Sequence, residues 1–285
     1  MNEIPLRVIF YGKEGIGKTT TAAQFPKPIL VDIEGGGRRI DGLVHRYARM
    51  KTLEQFNANL TEIAKRDDYE TVIIDSVDWL ETLVHKSILT KYKTDDITKA
   101  ANGYGAWVEI SKKAHEDIRE KLDEINETKH LVLIGHPKQY MHHDADIEVP
   151  YLRETLKMHE KVSKMWMEYV DGTFYLKKDI FVVGTGKDAR ATETGRFLFS
   201  DGKSFDAKAR VKMPAKIKLE ESGMFETLQG YFSRPVSDGE LYKDVLAIAD
   251  KVNDAEIRKK ALSEIPKHKN NNEKLKEIKT YLEGK

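Results

Sequence analysis

The 285-residue chain contains no cysteine. That excludes disulfides, thiolate zinc fingers, iron–sulfur clusters and cysteine nucleophiles together. It also lacks an excess of either charge, with 48 Lys and Arg against 47 Asp and Glu. A contact with nucleic acid would therefore rest on a local patch, not on the field of the whole molecule. Apolar runs stop after about four to six residues, well short of the ~20 that a membrane-spanning helix needs. The opening residues have neither the basic start nor the apolar stretch of a secretory signal. These absences predict a soluble cytoplasmic protein with no membrane partner. At 40% hydrophobic and 33% charged, the chain is polar but not disordered in composition.

What is present is an alternation of strand and helix signals. Residues 6–11 are a short apolar run, 20–24 read as helix, and 28–33 as a second strand stopped by Gly35-Gly36-Gly37. Leu53, Phe56, Leu60 and Ile63 recur at helical spacing. Residues 71–74 are β-branched and apolar on both faces, as suits a central parallel strand. Helices follow around Val77–Leu80–Val84–Ile88 and from Trp107 to Ile125, then a strand over 131–134. Two polar stretches without periodicity, 93–104 and 136–150, interrupt the pattern. A helix near 154–169 and strands at 172–176, 180–183 and 196–199 complete it. The order predicts an α/β fold with a mostly parallel central sheet flanked by helices. Pro235-Val236-Ser237-Asp238-Gly239 reads as a linker. Behind it, three short apolar stripes (Leu241, Val245, Ile248, Val252; Ile257, Ala261, Ile265; Leu275, Ile278, Leu282) predict a small helical segment. The expected division is 1–233 and 234–285.

The chemistry is concentrated in Gly12-Lys13-Glu14-Gly15-Ile16-Gly17-Lys18-Thr19, followed by Thr20. Glycines let backbone N–H groups converge on phosphate oxygens, the lysine reaches the β- and γ-phosphates, and the threonine hydroxyl suits Mg²⁺. A strand before and a helix after supply the context such a loop requires. The pattern predicts a P-loop NTPase with ATP and Mg²⁺ as ligands, residues 12–20 forming the cradle.

Three further residues close predicted strands at the same sheet edge, where parallel sheets bind ligands. Asp75 follows Val72-Ile73-Ile74 and suits Mg²⁺ beside Thr19; Asp and Ser are also favoured as helix caps, and the two roles are compatible. Glu34 ends Val31-Asp32-Ile33-Glu34 and has the carboxylate needed to orient and deprotonate an attacking water, with Asp32 as its competitor. His136, after Gly135, is placed either to touch a γ-phosphate or to lie in water. His142-His143-Asp144-Ala145-Asp146 resembles a metal cluster only in composition, since neighbouring histidines on an extended chain point apart. A solvated loop is the better reading.

Taken together, these segments resemble the RecA-like P-loop ATPases and, more narrowly, the phage-encoded RecA-like single-strand annealing recombinases. The resemblance spans roughly residues 5–215. It is carried by the loop, by Val31-Asp32-Ile33-Glu34-Gly35-Gly36, by Val72-Ile73-Ile74-Asp75-Ser76, by Leu133-Ile134-Gly135-His136 and by Asp206-Ala207-Lys208-Ala209-Arg210. It implies a RecA-like core in which Lys208 and Arg210 reach the ATP of a neighbouring subunit in a ring or filament. The alternative for those two cations is a basic strand edge that deters aggregation. It also implies that 93–104 and 136–150 are the loops that hold single-stranded DNA, with Lys93, Lys99, Tyr104, Lys138 and Tyr140 as contacts. Cations for phosphates and aromatic faces for bases are what such binding uses. Trp107 is read either with them or as core.

The function so implied is an ATPase stimulated by single-stranded DNA, promoting annealing or strand pairing in recombination, in the host cytoplasm if phage-encoded. A single-strand-binding or replication protein is an implied partner. The alternative is an ATP-switched module or loader that recruits a replication or recombination partner. The last helices are expected to be a structural cap.

Overall fold

A computed structural model describes residues 4–36, 45–47, 49–144, 147–233, 245–249, 254–268 and 272–283. Gly37, Asp146, the 235–239 linker, Leu241 and Val252 lie outside them. The chain divides into two compact units, Met1–Phe232 and Ser233–Lys285.

In the first unit the elements run β1 (Arg7–Gly12), α1 (Lys18–Ala22), β2 (Pro28–Asp32), β3 (His45–Tyr47), α2 (Leu53–Ala64), β4 (Thr71–Asp75) and α3 (Val77–Tyr92). They continue with α4 (Ala106–Asn126), β5 (His130–Gly135), β6 (Pro137–His142), β7 (Tyr151–Leu156) and α5 (Glu160–Tyr169). The last are β8 (Gly172–Val183), β9 (Arg190–Phe199), β10 (Lys208–Ala209), β11 (Lys216–Lys218) and α6 (Met224–Phe232). The sheet is ordered β11-β9-β8-β1-β5-β4-β2-β3, with β10 added against β8. From β8 to β3 every pairing is parallel, while β9, β10 and β11 join antiparallel. This is an α/β fold with a mixed, mostly parallel sheet.

Alternation along the central strands splits the core into two layers, because successive side chains leave opposite faces. Ile9, Val31, Ile74 and Leu133 face α2, α3, α4 and α5, meeting Phe56, Leu80, Ile118 and Trp166. Phe10, Leu30, Ile73, Val132 and Phe174 face the other way, toward Phe25 and, from α6, Met224 and Leu228. Both faces are covered, which is why these strands read as unbroken apolar runs.

Three expectations need correction. The 136–150 stretch is not all loop: Pro137–His142 pairs antiparallel with Tyr151–Leu156 as a two-stranded hairpin. The helix expected near 154–169 begins only at Glu160, because 151–156 is taken up by that hairpin and His159 caps the helix, its Nδ1 accepting from Lys161 N–H at 3.4 Å. The segments 172–176 and 180–183 are one twelve-residue strand with an irregularity between Asp179 and Ile180. Its first half lies in the core beside β1. Its second half and β9 form a ribbon on which Ile180, Phe181, Val182 and Val183 are all exposed. The 93–104 stretch also contains a short 3₁₀ turn, Ile97–Asn102.

The second unit contains helices Ala255–Glu264 and Asn272–Glu283 with a helical stretch at 245–249. Val245, Ala249, Ala261, Ile265, Leu275 and Leu282 form its core. Asp254 caps the first of these helices, accepting from Glu256 and Ile257 N–H.

Candidate functional site

Parallel register brings the carboxyl ends of four strands level. Gly12 lies opposite Leu176, Tyr11 opposite Gly135, Asp75 opposite Ile134, and Asp32 opposite Asp75. Strand β5 is inserted between β1 and β4, so the glycine loop and Asp75 stand across one strand from each other.

The loop geometry follows from its glycines. A Cβ on Gly12 would sit 2.3 Å from the Leu176 carbonyl, so only glycine allows β1 and β8 to close there. Gly15 and Gly17 take left-handed conformations, φ 71° and 101°. Gly17 begins α1 with no side-chain cap and no acidic residue in the first turn, leaving the first amides for an outside acceptor. Lys18 folds back over the loop, its Nζ donating to the carbonyls of Gly12 at 2.8 Å and Lys13 at 3.1 Å. Burial pushes its ammonium pKa down, against the pull of Asp75, Glu34 and Asp78.

Thr19 Oγ1 donates to Asp75 Oδ2 at 2.9 Å. Burial pushes the Asp75 carboxyl up to about 6, with Glu34 and Asp32 adding to the effect and the Thr19 hydroxyl opposing it. Buried carboxylates crowded in this way call for a cation, and the Thr19–Asp75 pair fits Mg²⁺. Among the described residues no group of three or more His, Asp or Glu could hold a metal ion. Mg²⁺ here would take most of its ligands from phosphate and water, as it commonly does.

Glu34 lies just past the tip of β2, tethered by Ile33 and Glu34 N–H groups that donate to the Asp75 carbonyl at 2.7 and 3.2 Å. Its carboxylate is partly exposed and lies 3.9 Å from His136 Nε2. Asp32 is fully buried and engaged otherwise, accepting from Gly35 N–H at 2.5 Å and Arg46 at 2.9 Å. It shapes the turn that presents Glu34. His136 is neither solvated nor free: its Nδ1 lies 3.1 Å from Asp78 Oδ2 and its N–H donates to Asp78 Oδ1 at 3.2 Å. The bond from Asp78 holds the imidazole pKa above its ordinary value, against the opposing effect of burial. Burial works to raise Asp78, but the contacts with His136 outweigh it and keep that carboxyl low. A cleft of about 670 Å³, lined by Lys13, Glu14, Glu34, Asp78 and His136, opens over these groups.

The structure does not bring Lys208 and Arg210 to this site. Lys208 belongs to β10, which pairs with Gly172 and Thr173 at the amino end of β8, and Arg210 follows it directly. Arg210 donates to the carbonyls of Val170 at 3.2 Å and Glu168 at 2.6 Å, closing the end of α5. Burial and the neighbouring Arg210 push the Lys208 pKa down.

The proposed DNA contacts fall into two groups. Tyr104 is fully exposed on a backbone whose residues 101–105 all have positive φ, and Lys93 and Lys99 are exposed nearby in sequence, Lys99 3.6 Å from Asp96. On the hairpin, Lys138 donates to the Met158 carbonyl and Tyr140 OH to Asp206 Oδ1 at 3.3 Å, so both already have partners. Trp107 is half-buried, edge-on to His85 and His159 and packed against the core.

Two residues were missed from sequence. Asp78 is one, although its place three residues after Asp75, in the first turn of α3, puts it at the same sheet edge. Arg196 is the other, its guanidinium lying 2.9 Å from where a Cβ on Gly17 would stand. Nothing local in the sequence marks that approach.

No curated protein matches the chain. The family model described as "AAA domain" matches residues 4–211, which take in the loop, Glu34, Asp75, His136, Arg196 and both residues of β10. This match covers most of the chain, and the protein belongs to the AAA-domain family of P-loop ATPases, a family of nucleotide-binding and nucleotide-hydrolysing domains.

Proposed function

We propose that the chain is a RecA-like ATPase that couples hydrolysis of ATP to a contact with single-stranded DNA, in annealing or strand pairing. Lys18 holds the phosphates, and Glu34 orients the attacking water and takes its proton. Bound Mg²⁺, held through Thr19 and Asp75, neutralises charge on the phosphates. Lys208 and Arg210 serve the site of a neighbouring subunit, which makes self-association part of the reading.

The observation that carries the proposal is the place of His136. It contacts Asp78, approaches Glu34, and immediately precedes the β6–β7 hairpin, so a change at the phosphate end of the site has a short path to the surface. Tyr104, fully exposed, gives the other polar stretch an aromatic face of the kind bases stack on.

Phosphate release with and without an unstructured oligonucleotide, over a range of protein concentration, tests the reading. Stimulation that weakens with salt supports it. Slow turnover indifferent to DNA would instead favour an ATP-switched loader. The exposed Ile180, Phe181, Val182 and Val183 on the ribbon favour that second reading as a partner surface.

A further inference from the structure

Of the cavities that meet the glycine loop, one of about 410 Å³ touches it at Lys13, Glu14 and Ile16, and two others share no lining residue with each other. The cleft over Glu34 and His136 meets the loop at Lys13 and Glu14. The other, of about 260 Å³, meets it at Gly17, Thr20 and Thr21, and is walled by Gln24, Arg196 and Leu219 among others. They mark the two ends of one anion cradle.

The second cavity is a built site. Gln24 braces it from both ends of its amide, donating to the Glu220 carbonyl at 3.0 Å and accepting from Met224 N–H at 2.9 Å. Leu219 N–H donates to the Arg196 carbonyl at 2.8 Å, fixing the wall to β9. Among the described residues the Arg196 guanidinium is paired with no carboxylate. Glu220, which lines the same cavity, is instead 3.3 Å from Lys218. A guanidinium tip with no carboxylate partner, set against a glycine of a phosphate loop, is placed to take an anion.

We propose that Arg196 grips the bound nucleotide at its nucleoside end, taking the phosphate nearest the sugar, and that this cavity holds the nucleoside. The inference rests on nucleotide binding by the loop and assigns the other half of the ligand. The acidic cleft with Glu34 takes the terminal phosphate, so the chain of phosphates leaves the loop at Gly17 and Thr20, where the second cavity begins. Arginine suits the position because its planar fork donates to phosphate and its face stacks on a base, while Leu219 supplies an apolar wall. Arg196 lies on the ribbon strand paired with β8, so the grip also ties the ribbon to the nucleotide.

Calorimetric titration of the full chain with Mg²⁺·ADP and with Mg²⁺·tripolyphosphate, which lacks a nucleoside, tests this. Arg196→Ala should weaken ADP by about tenfold, the usual loss for one charge-assisted contact. Leu219→Ala, which removes the apolar wall, should weaken ADP by about tenfold as well and leave tripolyphosphate within about threefold. If both variants bind ADP like the wild type while tripolyphosphate still binds, the nucleoside assignment is overturned and the phosphate-loop reading stands. If the wild type binds neither ligand, both readings fall.

Discussion

His136 Nδ1 lies 3.1 Å from Asp78 Oδ2, and the two residues come from β5 and α3 at the same edge of the sheet. Because the bond holds the imidazole pKa up, Asp78→Asn should lower it toward or below the ordinary histidine value. Titration of the His136 ring protons by NMR reads this directly. Phosphate release should fall by roughly tenfold with ADP affinity little changed, since the pair orients groups rather than binding the phosphates. An unchanged titration curve would show that the contact does not set the charge of His136.

Glu34 and Asp32 are separated by one residue and predict opposite behaviour. Glu34 is partly exposed beside His136, so Glu34→Gln should lower turnover by about 10²–10⁴-fold while leaving nucleotide affinity and melting temperature near wild type. Asp32 is buried with Gly35 and Arg46 as partners, so Asp32→Asn should lower the melting temperature. Single-turnover kinetics together with thermal melts separate the two.

Asp75 is buried among other carboxylates, and burial is the main reason its carboxyl is pushed up to about 6. Replacing it with neutral Asn should stabilise metal-free protein in chelator by on the order of 1–2 kcal/mol, read as a higher melting temperature. The same variant should lose the Mg²⁺ dependence of nucleotide binding. Stability gained where function is lost is expected of groups placed for chemistry.

Acid sensitivity should be traceable to His115. It is fully buried, accepts from Trp166 Nε1–H at 3.2 Å, and burial lowers its pKa to about 3, with His85 adding to the effect. The unfolded chain binds a proton near pH 6.5 while the folded chain does not until about pH 3. The contribution is therefore complete above about pH 6.5 and is lost progressively as pH falls toward 3. His115→Gln should be less stable at pH 7 but show a shallower decline between pH 6 and 4 in urea melts.

Arg210 donates to two carbonyls at the end of α5, whereas Lys208 has no comparable tie. Arg210→Ala should cost about 1–3 kcal/mol of stability, and Lys208→Ala much less. If the two also serve a neighbouring subunit, Lys208→Ala should reduce turnover only at protein concentrations that support association. Equal turnover at every concentration would remove that role.

Much of the site was legible in the sequence because its parts are local. The residues from Gly12 to Thr19 need only chain order to join a strand to a helix through a glycine loop. Asp75 and Glu34 sit at the ends of apolar runs whose direction is set by the parallel alternation. The strand Pro137–His142 was not legible, since its residues are mostly polar and only pairing with Tyr151–Leu156 makes them a strand.

The sequence by itself determined the loop, the two layers of the core and the edge of the sheet at which the chemistry gathers. Periodicity of 2 and 3.6 and the permissiveness of glycine act within a few residues. Tertiary structure alone decided which distant groups meet there. Asp78 became the partner of His136, Arg196 arrived beside Gly17, and Lys208 and Arg210 were carried to the far end of β8. Those outcomes depend on strand order and register, which hydrogen bonds between distant segments fix and no local pattern encodes.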